Sequence, residues 1–277
     1  MSIQSPSTKY TPDEMMTIAA ARLIHPGCVC FVGIGVPSAA ANLARLTHAP
    51  DMVLIYESGA IGTHPNVLPL SIGDGELAET ADAVVPLPEV FSYWLQAGRI
   101  DVGFLGAAQI DRFGNLNTTV IGGYGKPKTR MPGAGGAPEL AHHAKQVFVV
   151  LKQSARSFVA KLDFCTSAGF LNGHGERARR TILGAGPQVV ITDLGVLKPA
   201  TESQELTLVA RYENVSVDEI RAATGWPLQV ASSVEVIAPP TAVELQTLRD
   251  LHERTRAAHA GTRTTTSAAV VKIESEA

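Results

Sequence analysis

An open, mostly parallel α/β sheet with flanking helices is the architecture predicted for this 277-residue chain. Short apolar runs such as CVCFVGIG, DMVLIYE, VGFLGAA and QVFVVLK read as strands buried on both faces. Segments of helical period separate them, and glycines sit where the strands exit. Strand–helix–strand alternation of this kind implies parallel neighbours joined by right-handed crossovers.

The elements follow in order. Residues 12–24 (PDEMMTIAAARLI) predict a helix, with Pro12 in its first turn and Asp13 and Glu14 at the positive end of its dipole. HPG at 25–27 stops it. Residues 28–35 predict a strand running into a glycine turn, 37–48 a second helix and 52–57 a second strand. Residues 88–99 have helical period, 102–111 form a strand with a glycine exit, and 116–122 show β-branched alternation. KPKTRMPGAGGAPELAHHA is a polar, glycine-rich stretch leading into a short helix, in which His142 and His143 are expected to be solvated. Residues 146–152, 188–197 and 205–212 predict further strands, 217–225 a helix, and 241–258 the last periodic segment. HGERARRTI (174–182) is basic and expected as a surface loop. SIGDGEL and GNLN are expected as turns in which Asp74 and Asn117 have no special part. The organisation expected is a flexible 1–10, one domain over 11–258 and a disordered tail over 259–277.

Composition removes several function classes. A net charge of −3 argues against a nucleic-acid partner, which needs a basic face. No apolar run approaches the roughly 18 residues of a membrane helix. Asp13 and Glu14 precede the first apolar patch, where a secretion signal carries basic residues, so the cytoplasm is the expected compartment. The three cysteines do not make a zinc site, which wants CxxC spacing and a second pair. Cys28 and Cys30 are assigned to opposite faces of their strand as reduced structural thiols. No metal site is expected, since the histidines show no HExxH or related spacing.

Three places carry candidate chemistry. GIGVP (33–37) follows a strand and precedes a helix, the setting for an anion held on backbone amides or for a plain strand-to-helix turn. It lacks a third glycine and a Walker lysine. PGAGGAPEL (132–140) packs Gly133, Gly135 and Gly136 into four residues. Propensity does not favour that, since each glycine costs about 1 kcal/mol against alanine in a regular element. Its amides either receive a developing oxyanion or make a tight bend before Pro138. Glu57 ends a buried strand in IYESGAIG, ahead of Gly59 and Gly62. It is either a hydrogen-bonded structural carboxylate or a nucleophile toward an activated acyl group such as a thioester. Glu57 and the 133–136 loop form a chemically coherent pair if folding brings them together.

ESGAIG, GAGGAPEL and ITDLGVL…SVDEIRAATGWPLQV together resemble the β subunit of class I CoA-transferases, over about residues 10 to 255. NVLPLSIGDGELAETAD, GRIDVGFLGAAQIDRFGNLNTT and KPKTRMPGAGGAPE bring the likeness nearest to the 3-oxoadipate enzymes of the glutaconate CoA-transferase-like branch. The resemblance implies an open α/β sheet of the CoA-transferase (NagB/RpiA-like) type. It places the family's catalytic glutamate on Glu57 and its oxyanion loop on Gly133, Gly135 and Gly136. Ser58 and Gly59 fall where other branches carry Asn-Gly, and Gly33 and Gly35 where related halves carry a glycine-rich turn, with a structural or CoA-adjacent role. It further implies an α-subunit partner in an α2β2 hetero-oligomer, with acyl-CoA and a carboxylic acid as substrates. The reaction implied moves CoA from succinyl-CoA to 3-oxoadipate through a glutamyl-CoA intermediate, with no cofactor, since the CoA thioester is itself a substrate. A different acceptor acid such as glutaconate, a ring-opening CoA-thioester hydrolase, or a ligand-sensing module on the same scaffold are the competing readings.

Overall fold

The computed structural model describes residues 9–260. The expectations for residues 1–8 and 261–277 lie outside the described residues. The first helix, α1 (Pro12–Arg22), starts with a reciprocal cap between Thr11 and Glu14. It leads into β1 (Val29–Val32), α2 (Val36–Thr47) and β2 (Val53–Tyr56). Next come β3 (Ala60–Ile61), α3 (Gly75–Glu79), β4 (Ala83–Val84) and α4 (Leu87–Glu89), which runs on as a π-helical turn over Val90–Leu95. Then follow β5 (Val102–Leu105), β6 (Gln109–Ile110), β7 (Leu116–Asn117), β8 (Val120–Gly123), β9 (Lys126–Arg130), α5 (Ala137–His143) and β10 (Gln146–Val150). The last stretch holds α6 (Glu176–Arg179), β11 (Pro187–Ile191), β12 (Gly195–Pro199), β13 (Leu206–Tyr212), α7 (Val217–Ala222), β14 (Gln229–Ile237) and α8 (Ala242–His259).

One ten-stranded sheet organises the chain, in the order β14-β13-β12-β11-β10-β5-β1-β2-β3-β4. Its centre, from β11 to β2, is parallel throughout. Both flanks turn antiparallel, at β2–β3 and β3–β4 on one side and β11–β12 and β12–β13 on the other. Alternate residues along each central strand feed two separate cores. Cys30, Val32, Leu54 and Tyr56 face α1, α2 and α8, where Ile18, Ala20, Ala40, Leu43, Leu245 and Leu248 pack. Phe31, Ile55, Leu105 and Val149 face the opposite way, toward Val90, Leu95, Leu140, Ile220 and Trp226. The alanine runs of α1 and α2 let those helices lie close together. Arg22 clamps α8 onto α1 through both oxygens of Glu244, at 2.6 and 2.7 Å. Burial works against ionisation of Glu244, but Arg22 and the Thr241 cap outweigh it and hold the carboxyl at about 2.

The predicted fold class is the observed one, and several local expectations are corrected. Cys28 and Cys30 lie in the same core, because residues two apart share a face of a pleated strand. Cys165 is exposed. Residues 88–99 are not one α-helix but a short α-turn continued with π geometry. The polar KPKTR stretch is a strand, β9, hairpinned onto β8. Residues 188–197 fold as two strands around a turn held by the Thr192 hydroxyl. Residues 229–237, outside the elements predicted from sequence, form the edge strand β14. Asp74 caps α3 rather than idling in a turn, and Asn117 is fully buried, donating to Gln109 Oε1 and the Val120 carbonyl. His142 and His143 are half-buried, with His143 3.2 Å from Glu139.

The basic 174–182 segment is the largest departure. It holds helix α6, and Arg177 within it is only 3% exposed. Its guanidinium has no carboxylate partner among the described residues. It donates instead to the carbonyls of Gly184, Ala168, Gly169 and Ala141. Desolvation pulls it down to about 10, so it stays charged at neutral pH. Ala141 belongs to α5, so Arg177 fastens that helix to two loops. Arg177→Leu strands buried carbonyls and is expected to lower the stability by about 3 kcal/mol, measured by urea unfolding. Arg177→Lys recovers only part of it, because one ammonium does not span four acceptors. Wild-type stability in Arg177→Leu contradicts the clamp.

Candidate active site

Glu57 is placed by the end of β2. The strand alternates faces through Val53, Leu54, Ile55 and Tyr56, and Tyr56 points into the α1–α2–α8 core, where its hydroxyl meets Ser38 Oγ at 2.6 Å. The next side chain therefore turns to the other face. The chain then reverses tightly: Gly59 donates to the Tyr56 carbonyl at 3.1 Å, leaving Glu57 and Ser58 at the tip of the β2–β3 hairpin. Gly59 makes that reversal possible. Its φ is +111°, and a β-carbon there would lie 1.9 Å from the Val85 carbonyl oxygen. The need for glycine at 59 is thus a close approach of backbone to backbone within the protein. Ser58 is exposed, and Glu57 is half-buried. The Glu57 carboxylate has neither a hydrogen bond nor an ion pair with any described residue.

The glycine loop comes to this carboxylate. A β-carbon built on Gly136 would lie 3.2 Å from Glu57 Oε1 and 2.6 Å from the Phe91 ring. Only a bare α-carbon fits between the two without displacing one of them. Gly133 and Gly135 have φ of +98° and +48°, and their α-carbons border open space. The loop is anchored from the other side. Met131 and Gly133 donate to the carbonyls of Thr119 and Thr118, and the Thr118 hydroxyl donates back to Gly133 O at 2.7 Å. The Gly133 amide is therefore occupied. The amides of Ala134, Gly135 and Gly136 have no acceptor among the described residues.

The β1 exit lies alongside. Val32 is registered with Tyr56, which sets Gly33 beside Glu57. Gly35, with φ +82°, is the N-cap of α2, and no side chain caps that helix. The amides of Gly33, Ile34 and Gly35 also lack acceptors among the described residues. Open space surrounds both glycine α-carbons. These segments converge at the carboxyl ends of the central parallel strands. There the crossover from β1 goes one way, through α2 to β2, and the one from β5 goes the other, through α5 to β10. Open α/β sheets bind ligands in that crevice.

Gly136 meets Glu57, Gly133 and Gly135 belong to the same loop, and Gly33 lies beside Glu57 in register, whereas Gly35 borders a separate hollow with Thr11, Leu68 and His252. Phe91 is a member of the site that the sequence does not announce. It sits on the π-turn, its ring 6.2 Å from that of Phe31, and it walls the gap between Gly136 and Glu57. An aromatic inside a π-turn leaves little signal in sequence, although such turns are frequent at functional sites. Thr118 and Thr119, which anchor the loop, carry no sequence signal beyond that of a strand. An unpaired carboxylate beside free amides and an apolar wall suits attack on an acyl carbon, with the amides receiving the oxyanion. Among the described residues no group of three His, Cys, Asp or Glu side chains is placed to hold a metal ion. No helix among them is long and apolar enough to cross a membrane.

Comparison with known proteins identifies the family. The family model for Coenzyme A transferase matches residues 13–223. The chain is 60% identical over 250 residues to the β subunit of 3-oxoadipate CoA-transferase from Pseudomonas knackmussii, covering 90% of this chain and 96% of that protein. It is 37% identical to the β subunit of glutaconate CoA-transferase from Acidaminococcus fermentans, covering 85% and 90%. The crystal structure of glutaconate coenzyme A-transferase from the same organism superposes with a TM-score of 0.84 at 34% identity, covering 90% of this chain and 97% of that one. The chain belongs to the coenzyme A transferase family, as a β subunit of its glutaconate CoA-transferase-like branch.

Proposed function

We propose that this chain is the β subunit of a transferase that moves CoA from succinyl-CoA to 3-oxoadipate, with Glu57 as the covalent nucleophile. The carrying observation is the half-buried, unpaired Glu57 carboxylate set against the Gly136 α-carbon. The substrate pair follows the name of the relative that is 60% identical. The relatives are named as subunits, which supports an α-subunit partner; the assembly proposed is a heterotetramer of two α and two β chains. The cytoplasm is the proposed compartment.

The steps balance without water or an external oxidant. A Glu57 oxygen attacks the thioester carbonyl of succinyl-CoA, and the free amides of the 134–136 loop and of Gly33 receive the oxyanion. The C–S bond breaks, giving a succinyl-glutamyl anhydride and CoA thiolate. The thiolate attacks the Glu57 carbonyl and releases succinate, leaving a glutamyl-CoA thioester. A 3-oxoadipate carboxylate attacks that same carbonyl and expels the thiolate. The thiolate then attacks the oxoadipyl carbonyl of the new anhydride, and the Glu57 carboxylate is regenerated. Phe91 shields the anhydride, which water would otherwise hydrolyse. No metal or organic cofactor enters, because CoA is carried by the substrates. Gly33 borders the acyl-CoA, Gly133 fixes the loop, and Ser58 and Gly59 shape the tip that presents Glu57.

Two outcomes are expected from the co-expressed α and β subunits. After incubation with succinyl-CoA and borohydride, digestion yields a modified peptide containing Glu57. Glu57→Gln yields none, and its kcat falls by at least about 10³-fold. Turnover without adduct, or an active Glu57→Gln, contradicts the proposal. Gly136→Ala drives a methyl group against Phe91 and Glu57 and lowers kcat by about 10²-fold with little change in melting temperature. Adding Phe91→Leu to Gly136→Ala makes room on the ring side and restores part of the rate. Full activity in Gly136→Ala contradicts the contact.

A further inference from the structure

We infer that the β8–β9 hairpin recognises the nucleotide end of coenzyme A, the 3′-phospho-ADP group, with Lys126 and Lys128 on its phosphates and the Tyr124–Phe164 stack, capped by Arg130, against its adenine. The inference rests on the proposal that the donor is an acyl-CoA.

The site around Glu57 poses the problem. The donor carries several phosphate charges, yet no lysine or arginine is among the residues gathered at the carboxylate. The phosphates must therefore find cations at a distance from the thioester, a distance set by the pantetheine arm. The hairpin supplies them in a chain whose net charge is −3. KPKTR carries three cations in five residues and no acid. All three are exposed, and none has a carboxylate within 4.0 Å among the described residues. Among the other exposed cations, Lys145, Lys152, Arg180 and Arg249 are paired with acids, whereas Arg99, Lys161 and Lys198 have no such pair among the described residues, so what sets the hairpin apart is three cations gathered on one short strand. Lys126 and Lys128, held free on a short rigid element, suit a polyanion that arrives from solution.

The hairpin also offers an aromatic surface. Tyr124, at its tip, is 59% exposed, although large aromatic side chains are usually covered. Its ring stacks on Phe164 with centroids 5.3 Å apart, and the Arg130 guanidinium lies 4.9 Å from its centre. The Arg130 side chain also donates to the Tyr124 carbonyl, which holds the cation over the ring. Stacked rings topped by a guanidinium form a platform for a purine base.

The same segment continues into the catalytic loop. The β8–β9 ladder does not stop at Arg130, because Met131 and Gly133 go on pairing with Thr119 and Thr118. Residues 124–136 thus run as one braced strip from the aromatic tip to Gly136. From Arg130 to Gly136 the chain spans at most about 20 Å, a separation that an extended pantetheine arm bridges. A bulge at Gly122, with φ +85°, fixes the twist of the hairpin and inserts Lys128 as its extra residue. In this arrangement one strip carries both the phosphate contacts and the oxyanion amides.

The test uses the co-expressed α–β complex carrying Lys126→Ala, Lys128→Ala and Arg130→Ala together, assayed with succinyl-CoA and with succinyl-pantetheine, which lacks the nucleotide. The ratio of kcat/KM for succinyl-CoA to that for succinyl-pantetheine is expected to fall at least about tenfold. The loss should lie in KM for succinyl-CoA, and that KM should become less sensitive to salt. The Kd of adenosine 3′,5′-bisphosphate, measured by calorimetry, should rise in parallel, and Tyr124→Leu alone should raise it too. Comparing two substrates on one protein cancels any loss of folded enzyme. An unchanged ratio together with an unchanged Kd overturns the inference and assigns the nucleotide to the α subunit. If the wild-type complex binds the bisphosphate but transfers no CoA, the proposed reaction fails while the calorimetry still decides the role of the hairpin.

Discussion

A side chain at residue 136 would have nowhere to go. On one side stands the Phe91 ring and on the other the Glu57 carboxylate, and the gap between them accepts only a bare α-carbon. That close approach makes a glycine loop and a strand-end glutamate into one site. It keeps a carboxylate half out of water without giving it a hydrogen-bond partner, while backbone amides nearby stay unpaired among the described residues. Ala134 and Gly135 are exposed and Gly136 and Glu57 half-buried, so these groups are open to whatever enters the crevice.

The rest of the molecule holds the two halves of the contact in place. Glu57 is fixed by β2, whose neighbours on the sheet are β1 and β3, and by the tight reversal at Gly59. The loop is fixed at its front by Thr118 and Thr119. Behind it, α5 packs Leu140 against Gly103 of β5, so closely that a β-carbon there would lie 2.7 Å from the leucine. Arg177 ties the far end of α5 to the 168–169 and 184 loops. The parallel centre of the sheet sends its crossovers in opposite directions from β1 and β5, which opens the crevice where these pieces meet.

Much of this is readable from sequence, and the remainder is hidden for identifiable reasons. Buried apolar runs that end in glycine locate β1, β2, β5 and β10, and so place Glu57 at a strand exit. Three glycines in four residues mark the loop, because propensity gives no other reason for them. That the two meet depends on packing between segments far apart in the chain, which periodicity does not encode. Phe91 is hidden because a π-turn reads as ordinary helix. Strand β9 is hidden because KPKTR has neither apolar alternation nor burial; its pairing comes from β8 and the bulge at Gly122. Arg177 looks like one charge in a basic loop, since nothing local tells a solvated arginine from one that binds four carbonyls. Strand β14 lies at the sheet edge and is largely exposed, so it lacks the apolar signal of the central strands.

The central claim is that a Glu57 oxygen bonds to the substrate acyl carbon, and oxygen isotopes test it most directly. When the α–β complex turns over succinyl-CoA with 3-oxoadipate labelled with ¹⁸O in its carboxylates, the label must cross the mixed anhydride. Mass spectrometry of the peptide spanning Glu57 is then expected to show ¹⁸O in its side-chain carboxyl, absent when CoA is omitted. An unlabelled Glu57 peptide after many turnovers would mean that CoA passes between the acids without a bond to this residue.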